Sequence, residues 1–349
     1  MEAQRERAGL GRAGLPVTPI GFGAAALGGL FRTVSEEEAE AALQAAWDAG
    51  IRYFDTAPHY GAGLSEERLG RFLARYPREE YVLSTKVGRL LVPHDGPAAQ
   101  IQGADGFFGT PNRVRVRDYS RDGVLRSVED SLRRLGLDRI DILYIHDPDE
   151  HEEQALREAY PALAGLRAEG AVRAIGVGMN TTRIPARFVR ETDVDCVLIA
   201  GRYTLLDAQA ATDLLPLCAD RGVDVVGAGV FNSGLLANPE PGAPFDYAAA
   251  PPELVDRAQR IAAACARHGI SLAAAALAFS RSHPAVRTVL LGMRSADEVR
   301  QNIAAAAQPV PFRLWQDLAD AGLLPAGASM AVLAAASENG DSGPGPDII

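Results

Sequence analysis

The chain has 349 residues, 35 basic and 45 acidic side chains, and a formal charge of −10. With 47% hydrophobic and 23% charged residues its usage is globular, which excludes a disordered or fibrous chain. The acidic balance excludes a general surface for nucleic acid or anionic membrane, and the length suits either two average domains or one large α/β barrel. The three cysteines, Cys196, Cys218 and Cys265, are far apart and form no CxxC. That spacing argues against a disulfide framework or a structural zinc site and for a reducing compartment. The N-terminal MEAQRERAGLGRAG has no apolar signal core, and no apolar run is long enough to span a bilayer. A cytoplasmic protein is expected, with no nucleic-acid or membrane partner and an oligomeric state the sequence does not define.

In chain order, Gly9-Leu10-Gly11-Arg12-Ala13-Gly14 is a literal GxGxxG. It follows no strand and opens no helix, so it is read as the turn of an N-terminal hairpin closing a barrel floor, not as a dinucleotide fingerprint. Short aliphatic runs at 17–22, 51–55, 81–86, 141–146, 173–178, 195–200, 224–229 and 286–292 read as strands. Amphipathic stretches at about 35–49, 65–75, 120–135, 152–169, 182–191, 208–221, 252–281 and 295–307 read as helices, with a break at His268-Gly269. Ser35 and Ser295 stand as N-caps before acidic first turns. Gly50, Gly136, Gly170 and Gly222 stand where a left-handed residue ends a helix. Eight such alternations predict an α/β fold, a (β/α)8 TIM barrel, over residues 1–325. The Pro/Gly-rich stretch 88–119 is expected to be a long loop after the third strand, a substrate lid carrying Phe107 and Phe108. Residues 326–349 are expected to form a tail, disordered from 337.

In such a barrel, functional groups sit where strands end. The second strand ends in Asp55-Thr56-Ala57-Pro58-His59-Tyr60, the third in Lys86 and the fourth in His146. Together they suit proton transfer at a carbonyl or hydroxyl oxygen. A free tyrosine ionises near pH 10, too high for neutral acid–base work. A buried Lys86 ammonium would stabilise the phenolate, Asp55 would hold the lysine charged, and His146 would orient the substrate oxygen. Singly, each has a bland reading: a structural ion pair, a satisfied strand-end histidine, a packing tyrosine. Their joint occurrence at successive strand ends favours the chemical one. His146 to His151 resembles a metal cluster, but Pro148 intervenes and the spacing does not set both imidazoles on one helical face, so no metal site is expected.

DTAPHYGAGLSEERLGRFL, STKVG, SVEDSLRRLGLDRIDILYIHDPD and GVGMN resemble the aldo-keto reductases from about residue 10 to 325. LGRAGLPVTPIGFGAA, DYSRDGVLRSVEDSL, AGRYTLLD and VFNSGLL are most similar to the sugar and pyridoxal dehydrogenase branch. The resemblance implies an oxidoreductase using NAD or NADP. Its residue-wise transfer makes Tyr60 the general acid/base, Lys86 and Asp55 its tuning pair, and His146 the substrate-orienting group. It further implies oxidation of an aldose of the L-fucose/D-arabinose type at C1 to a lactone. Two alternatives stand: a general aldehyde or ketone reductase (pyridoxal or a secondary-metabolite carbonyl), and a non-catalytic cofactor-sensing barrel. His59, Phe107, Phe108 and Tyr203 are the candidate substrate residues.

For the cofactor, Asn180 is expected to hydrogen-bond the nicotinamide carboxamide, and Gly23 is a further cofactor-binding candidate. The segment Gly229 with Phe231, Asn232, Ser233, Gly234 and Leu235 offers backbone N–H groups to a pyrophosphate. Gly292, Arg294, Ser295, Glu298 and Asn302 surround a helix start suited to the adenosine end. Two departures stand out. Relatives carry Gln and an aromatic near the ends of strands six and seven, and here the positions hold Ala200 and Ala228; Phe231 or Tyr203 are candidates to stack on the nicotinamide instead. Glu298 stands where NADP-preferring relatives place an arginine, which favours NAD, while Arg294 argues the other way.

Overall fold

The computed structural model describes residues 7–246 and 248–340. The GxGxxG is a hairpin: β1 (Ala8–Leu10) and β2 (Leu15–Val17) pair antiparallel about a turn at Gly11–Gly14. Leu10, Leu15 and Val17 are fully buried against Tyr53, Val82, Ile142, Ala174 and Cys196. Burying three such side chains contributes roughly 1.5–3 kcal/mol each, so the hairpin is a plug held by apolar contact. The apolar run at 17–22 is therefore divided between the hairpin and the first barrel strand.

Along the chain follow β3 (Ile20–Gly23), β4 (Tyr53–Asp55), β5 (Val82–Val87), β6 (Arg89–Pro93), β7 (Arg113–Arg117), β8 (Ile142–His146), β9 (Ala174–Met179), β10 (Cys196–Ala200), β11 (Asp224–Ala228), β12 (Pro244–Phe245), β13 (Ala248–Ala249) and β14 (Val286–Gly292). β3, β4, β5, β8, β9, β10, β11 and β14 close in that order into a parallel barrel, β14 pairing back onto β3. The (β/α)8 expectation holds. The barrel strands read as near-continuous apolar runs because both faces are covered, by the interior layer and by helices.

The helices are α1 (Glu36–Asp48), α2 (Leu64–Leu73), α3 (Arg121–Leu135), α4 (Glu152–Gln154), α5 (Tyr160–Ala168), α6 (Arg183–Glu191), α7 (Leu214–Arg221), α8 (Pro252–Arg267), α9 (Leu272–Arg281), α10 (Ala296–Ala306), α11 (Phe312–Asp320) and α12 (Met330–Gly340). A π turn at Ala155–Ala159 joins α4 to α5. Ser35 caps α1 through a full capping box with Glu38. Among the described residues no single helix is long and apolar enough to cross a membrane. α8 and α9 pass that test only as a pair, bent by 99°, and their apolar faces lie in the core.

Three expectations change. The stretch 88–119 is not a bare loop: β6 and β7 pair antiparallel from Arg89↔Arg117 to Pro93↔Arg113. Two helices follow residue 307, because Leu314, Trp315 and Leu318 form a buried stripe on α11. The expected tail begins with α12, whose Leu333 is buried and whose Ser337 accepts a hydrogen bond from Trp315 Nε1 at 3.1 Å. Residues 337–340, expected to be disordered, close α12, and the rest of that expectation, 341–349, lies outside the described residues.

The barrel floor is pinned by three aspartates at strand starts. Asp141 and Asp195 accept from the amides of Leu83 and Ile175 on neighbouring strands at 2.8 and 2.9 Å. Asp224 accepts from Gly11 of the hairpin at 2.7 Å. Each also meets an arginine, Arg78, Arg167 or Arg287, at 2.6–2.7 Å.

Candidate active site

Alternate residues of a strand face opposite sides. On β5, Val82, Ser84 and Lys86 face inward while Leu83 and Val87 join the outer core. Tyr53 and Asp55 on β4, and Tyr144 and His146 on β8, share the inward parity. The register Asp55↔Ser84 and Lys86↔Tyr144 stacks these side chains into one end of the barrel.

Lys86 is 1% exposed, and its Nζ donates to Asp55 Oδ2 at 2.6 Å, to Thr56 O at 2.9 Å and to the Tyr60 hydroxyl at 3.0 Å. All three of its protons are thereby used. Burial alone would lower the lysine; the charge of Asp55, with Tyr60, outweighs it and holds the ammonium above its usual range. Burial pushes the Asp55 carboxyl up, opposed by Lys86 and by the Ser84 hydroxyl at 2.7 Å from Oδ1.

Tyr60 is aimed by its backbone. A tight turn, Tyr60 N to Ala57 O, and a wider one, Ser65 N to Tyr60 O, fold it back over the strand end. Gly28 and Gly61 sit backbone to backbone beside it; a Cβ on Gly28 would lie 2.6 Å from the Tyr60 carbonyl carbon. Glu66 in the SEERL motif is not part of this cluster. Fully buried, it accepts from Thr85 Oγ1 at 2.8 Å and Arg134 Nε at 2.6 Å, tying α2 to β5 and α3.

His146 is 7% exposed, and its ring lies 5.9 Å from that of Tyr60, at 88°. Burial, reinforced by Arg89, Lys86 and His59, drives it well below its ordinary range, so it is a neutral imidazole. Its Nε2 lies 3.4 Å from Asp147 Oδ2, which with a neutral ring is a weak polar contact and not an ion pair. His59 is likewise pulled down to about 2 by burial, Arg89 and Arg115.

Of the four candidate substrate residues, the structure brings two to this cluster. His59 lies 5.7 Å ring to ring from His146. Phe107, 3% exposed, stacks on Tyr60 at 6.2 Å and meets His59 edge-on at 5.3 Å. Phe108 points away, 40% exposed, beside Gly103 of its own loop. Tyr203 is placed elsewhere: its hydroxyl pairs with Ser282 Oγ at 2.8 Å and its ring packs on Phe279 at 5.1 Å. It holds its loop to α9, so neither a substrate contact nor nicotinamide stacking suits it.

Sequence reasoning missed the clamp behind His146. The His146 carbonyl accepts from Arg89 Nη1 at 3.2 Å and from the Tyr119 hydroxyl at 2.6 Å, which also reaches Asp147 O at 2.7 Å. Arg89 Nη2 bonds the Asp147 carboxylate at 3.1 Å, and Asp147 is held at φ 41°, a strained conformation beside the site. Arg115 donates from Nε to the His59 carbonyl at 2.9 Å. The available signal is the RVRVR alternation at 113–117, a strand pattern inside a Pro/Gly-rich stretch. His151 packs on Tyr119 at 5.2 Å, and no group of three or more His, Cys, Asp or Glu among the described residues is placed to hold a metal ion.

The expected dinucleotide residues line the same end of the barrel. Gly23, Ala200, Ala228 and Gly292 are strand ends, and Asn180 follows β9 directly. Ala200 and Ala228 are register partners, so the two departures form one patch of small side chains. The turn after β11 carries a run of left-handed residues, Gly229, Asn232, Ser233 and Gly234. Asn232 is 2% exposed with its Oδ1 buried and unpartnered. A Cβ on Gly234 or Gly292 would meet only open space. The orphaned Asn232 Oδ1 fits a bound group that donates to it, and the two open glycine edges leave room for a group whose oxygens accept from backbone N–H donors. At α10, Ser295 Oγ accepts from Glu298 N, and Glu298 reaches back to the Arg294 amide at 2.9 Å and toward its guanidinium at 3.4 Å. Asn302 stands two turns into α10, half-buried.

A closed parallel barrel with a hydrogen-bonded Asp–Lys–Tyr cluster and a histidine at one mouth suits carbonyl and alcohol oxidoreductases, and the chain belongs to the aldo/keto reductase family, whose sequence profile matches residues 19–319. It is an oxidoreductase of a family that uses nicotinamide cofactors, which sets aside the non-catalytic alternative. It is 49% identical over 317 residues to D-threo-aldose 1-dehydrogenase of a Pseudomonas species, covering 90% of this chain and 96% of that one. It is 44% identical to pyridoxal 4-dehydrogenase of Microbacterium luteolum, over 93% of this chain and 99% of that one. Among solved structures, a holo-form aldo-keto reductase from Bacillus halodurans superposes with a TM-score of 0.70 at 26% identity, covering 92% of this chain and 97% of that one.

Proposed function

We propose that this chain oxidises the C1 hydroxyl of an aldose of the L-fucose/D-arabinose type to the lactone, with Tyr60 as the proton acceptor. The observation that carries the chemistry is the Lys86 ammonium bonded at once to Asp55 at 2.6 Å and to Tyr60 at 3.0 Å. A cation at that distance favours the phenolate, the form able to take the hydroxyl proton. Neutral His146 donates to the substrate oxygen and fixes it over Tyr60. His59 and Phe107 wall the substrate. In the reverse direction Tyr60 returns the proton to the nascent alkoxide.

When bound, the nicotinamide supplies the acceptor for the C1 hydride. Gly23, Asn180 and the Ala200–Ala228 patch would hold its ring end, with Phe231 as the remaining aromatic candidate. Gly229, Asn232, Ser233, Gly234 and Leu235 would hold the pyrophosphate, and Gly292, Arg294, Ser295, Glu298 and Asn302 the adenosine end. NAD is the better fit, because Glu298, which accepts from the Arg294 amide at 2.9 Å and stands 3.4 Å from its guanidinium, would repel a 2′-phosphate at this helix start. Steady-state kinetics should give the higher kcat/KM with NAD; an NADP advantage of about tenfold overturns this.

The substrate assignment is supported by the D-threo-aldose 1-dehydrogenase relative. A second reading, a general aldehyde reductase or pyridoxal dehydrogenase, is supported by the pyridoxal 4-dehydrogenase relative. A panel of L-fucose, D-arabinose, pyridoxal and simple aldehydes decides between them. The sugars are expected to show the highest kcat/KM, and a preference for pyridoxal or simple aldehydes replaces the first reading with the second.

A further inference from the structure

Below Asp55, inside the barrel, runs a file of polar groups closed off from solvent. Ser84 Oγ lies 2.7 Å from Asp55 Oδ1, Tyr53 OH 3.1 Å from Ser84 Oγ, and Tyr144 OH 3.2 Å from Tyr53 OH. Cys196 Sγ lies 3.5 Å from Tyr144 OH. All four side chains are 0% exposed. They come from β4, β5, β8 and β10, and Tyr144 reaches across β9 because Gly176 leaves room. A Cβ there would lie 3.0 Å from the tyrosine ring.

The proton inventory gives this file one direction. Asp55, ionised against Lys86, only accepts, so Ser84 must donate to it. Ser84 has one proton, so its oxygen must accept from Tyr53. Tyr53 in turn must accept from Tyr144, and the Cys196 thiol is left to donate to Tyr144. Burial pushes both phenols well above their ordinary range, so neither loses its proton at any working pH. Aligned donors polarise one another, and the effect accumulates at the last acceptor. Around the file the same layer is apolar, with Leu10, Leu15, Val82, Ile142, Leu198 and Leu290. Apolar side chains could fill its place without any hydrogen-bonding requirement.

We propose that Ser84, Tyr53 and Tyr144, with Cys196 behind them, are positioning residues. They form a one-way hydrogen-bond column that holds Asp55 ionised and turned toward Lys86, so that the proton affinity of Tyr60 is set from the barrel interior. The inference rests on the reading of Tyr60 as the acid–base group.

The test uses the full chain with Ser84→Ala, Tyr53→Phe and Tyr144→Phe. Phenolate ionisation is followed by ultraviolet difference absorbance, with Tyr60→Phe identifying the Tyr60 step, alongside the pH profile of kcat/KM. Losing a donor to Asp55 makes the potential at Tyr60 more negative, so its ionisation moves up. The expected shift is about one pH unit for Ser84→Ala, smaller for Tyr53→Phe and smallest for Tyr144→Phe. An unshifted Tyr60 step, or shifts without that order, overturns the column. If Ser84→Ala does not fold, the two phenylalanine variants carry the same comparison. The titration needs no turnover, so a wild type that oxidises no sugar refutes the substrate reading and leaves the column standing. A wild type in which Tyr60→Phe removes no ionisation step below the ordinary tyrosine range refutes both the acid–base reading and the column.

Discussion

Tyr60→Phe is expected to lower kcat/KM by about three orders of magnitude while the nicotinamide cofactor still binds, as read by quenching of protein fluorescence. A positioned proton-transfer group is worth about 10²–10⁴-fold, and this hydroxyl is the only tyrosine oxygen on Lys86 Nζ among the bonds described there. The phenylalanine ring keeps the stack on Phe107 and the edge contact to His146, so the pocket wall is unchanged. The residues proposed for the dinucleotide belong to other strand ends, so cofactor affinity has no reason to fall. Near-wild-type turnover in this variant ends the assignment of Tyr60.

Lys86→Met is expected to cost both activity and stability. Asp55 is 2% exposed, and without Lys86 its carboxylate keeps only Ser84 as a described side-chain donor. Breaking a buried ion pair from one side costs about 3–5 kcal/mol. The sign of its pH dependence follows from burial, which raises this carboxyl even against the opposing Lys86 and raises it further once the lysine is gone. In the unfolded variant Asp55 ionises near pH 3.9, whereas in the folded variant it does so higher. The part of the destabilisation that comes from the unpaired charge is therefore absent below the unfolded value and grows as pH rises toward the raised folded one. Thermal melts should show the gap to wild type narrowing under acid. Adding Asp55→Asn should recover much of the Tm without recovering activity, because the amide needs no cation. A Lys86→Met variant as stable as wild type at neutral pH would mean that this pair is not the buried charge the structure describes.

The stability and the chemistry of this site thus depend on the same few bonds. Behind the pair lies the interior column, and behind His146 lies the clamp of Arg89 and Tyr119. Both come from strand faces and a ribbon that the reacting groups themselves do not reveal.

Much of this was legible in the sequence because its signals are local. Alternating apolar runs and amphipathic stretches have fixed periods, so the eight strand–helix units could be counted and the break at His268-Gly269 placed. Strand polarity then put Asp55, Tyr60, Lys86 and His146 at one mouth. The ribbon of β6 and β7 was hidden by surrounding Pro and Gly, although RVRVR carried its period. Tyr203 misled because an aromatic after a strand end can turn toward the mouth or back toward a helix. Only the Ser282 and Phe279 contacts show which.

The sequence by itself determined the barrel, the plugged floor and the residue types of the relay, since these follow from periodicity and from which side chains can exchange a proton near neutrality. The tertiary structure alone decided which groups meet. It set three hydrogen bonds on one Lys86 ammonium, put Phe107 but not Phe108 against Tyr60, and turned Glu298 onto Arg294. The reason is distance: each of these contacts joins residues separated along the chain or pointing by a single rotamer, and hydrogen bonding and charge act over a few ångströms that no sequence period encodes.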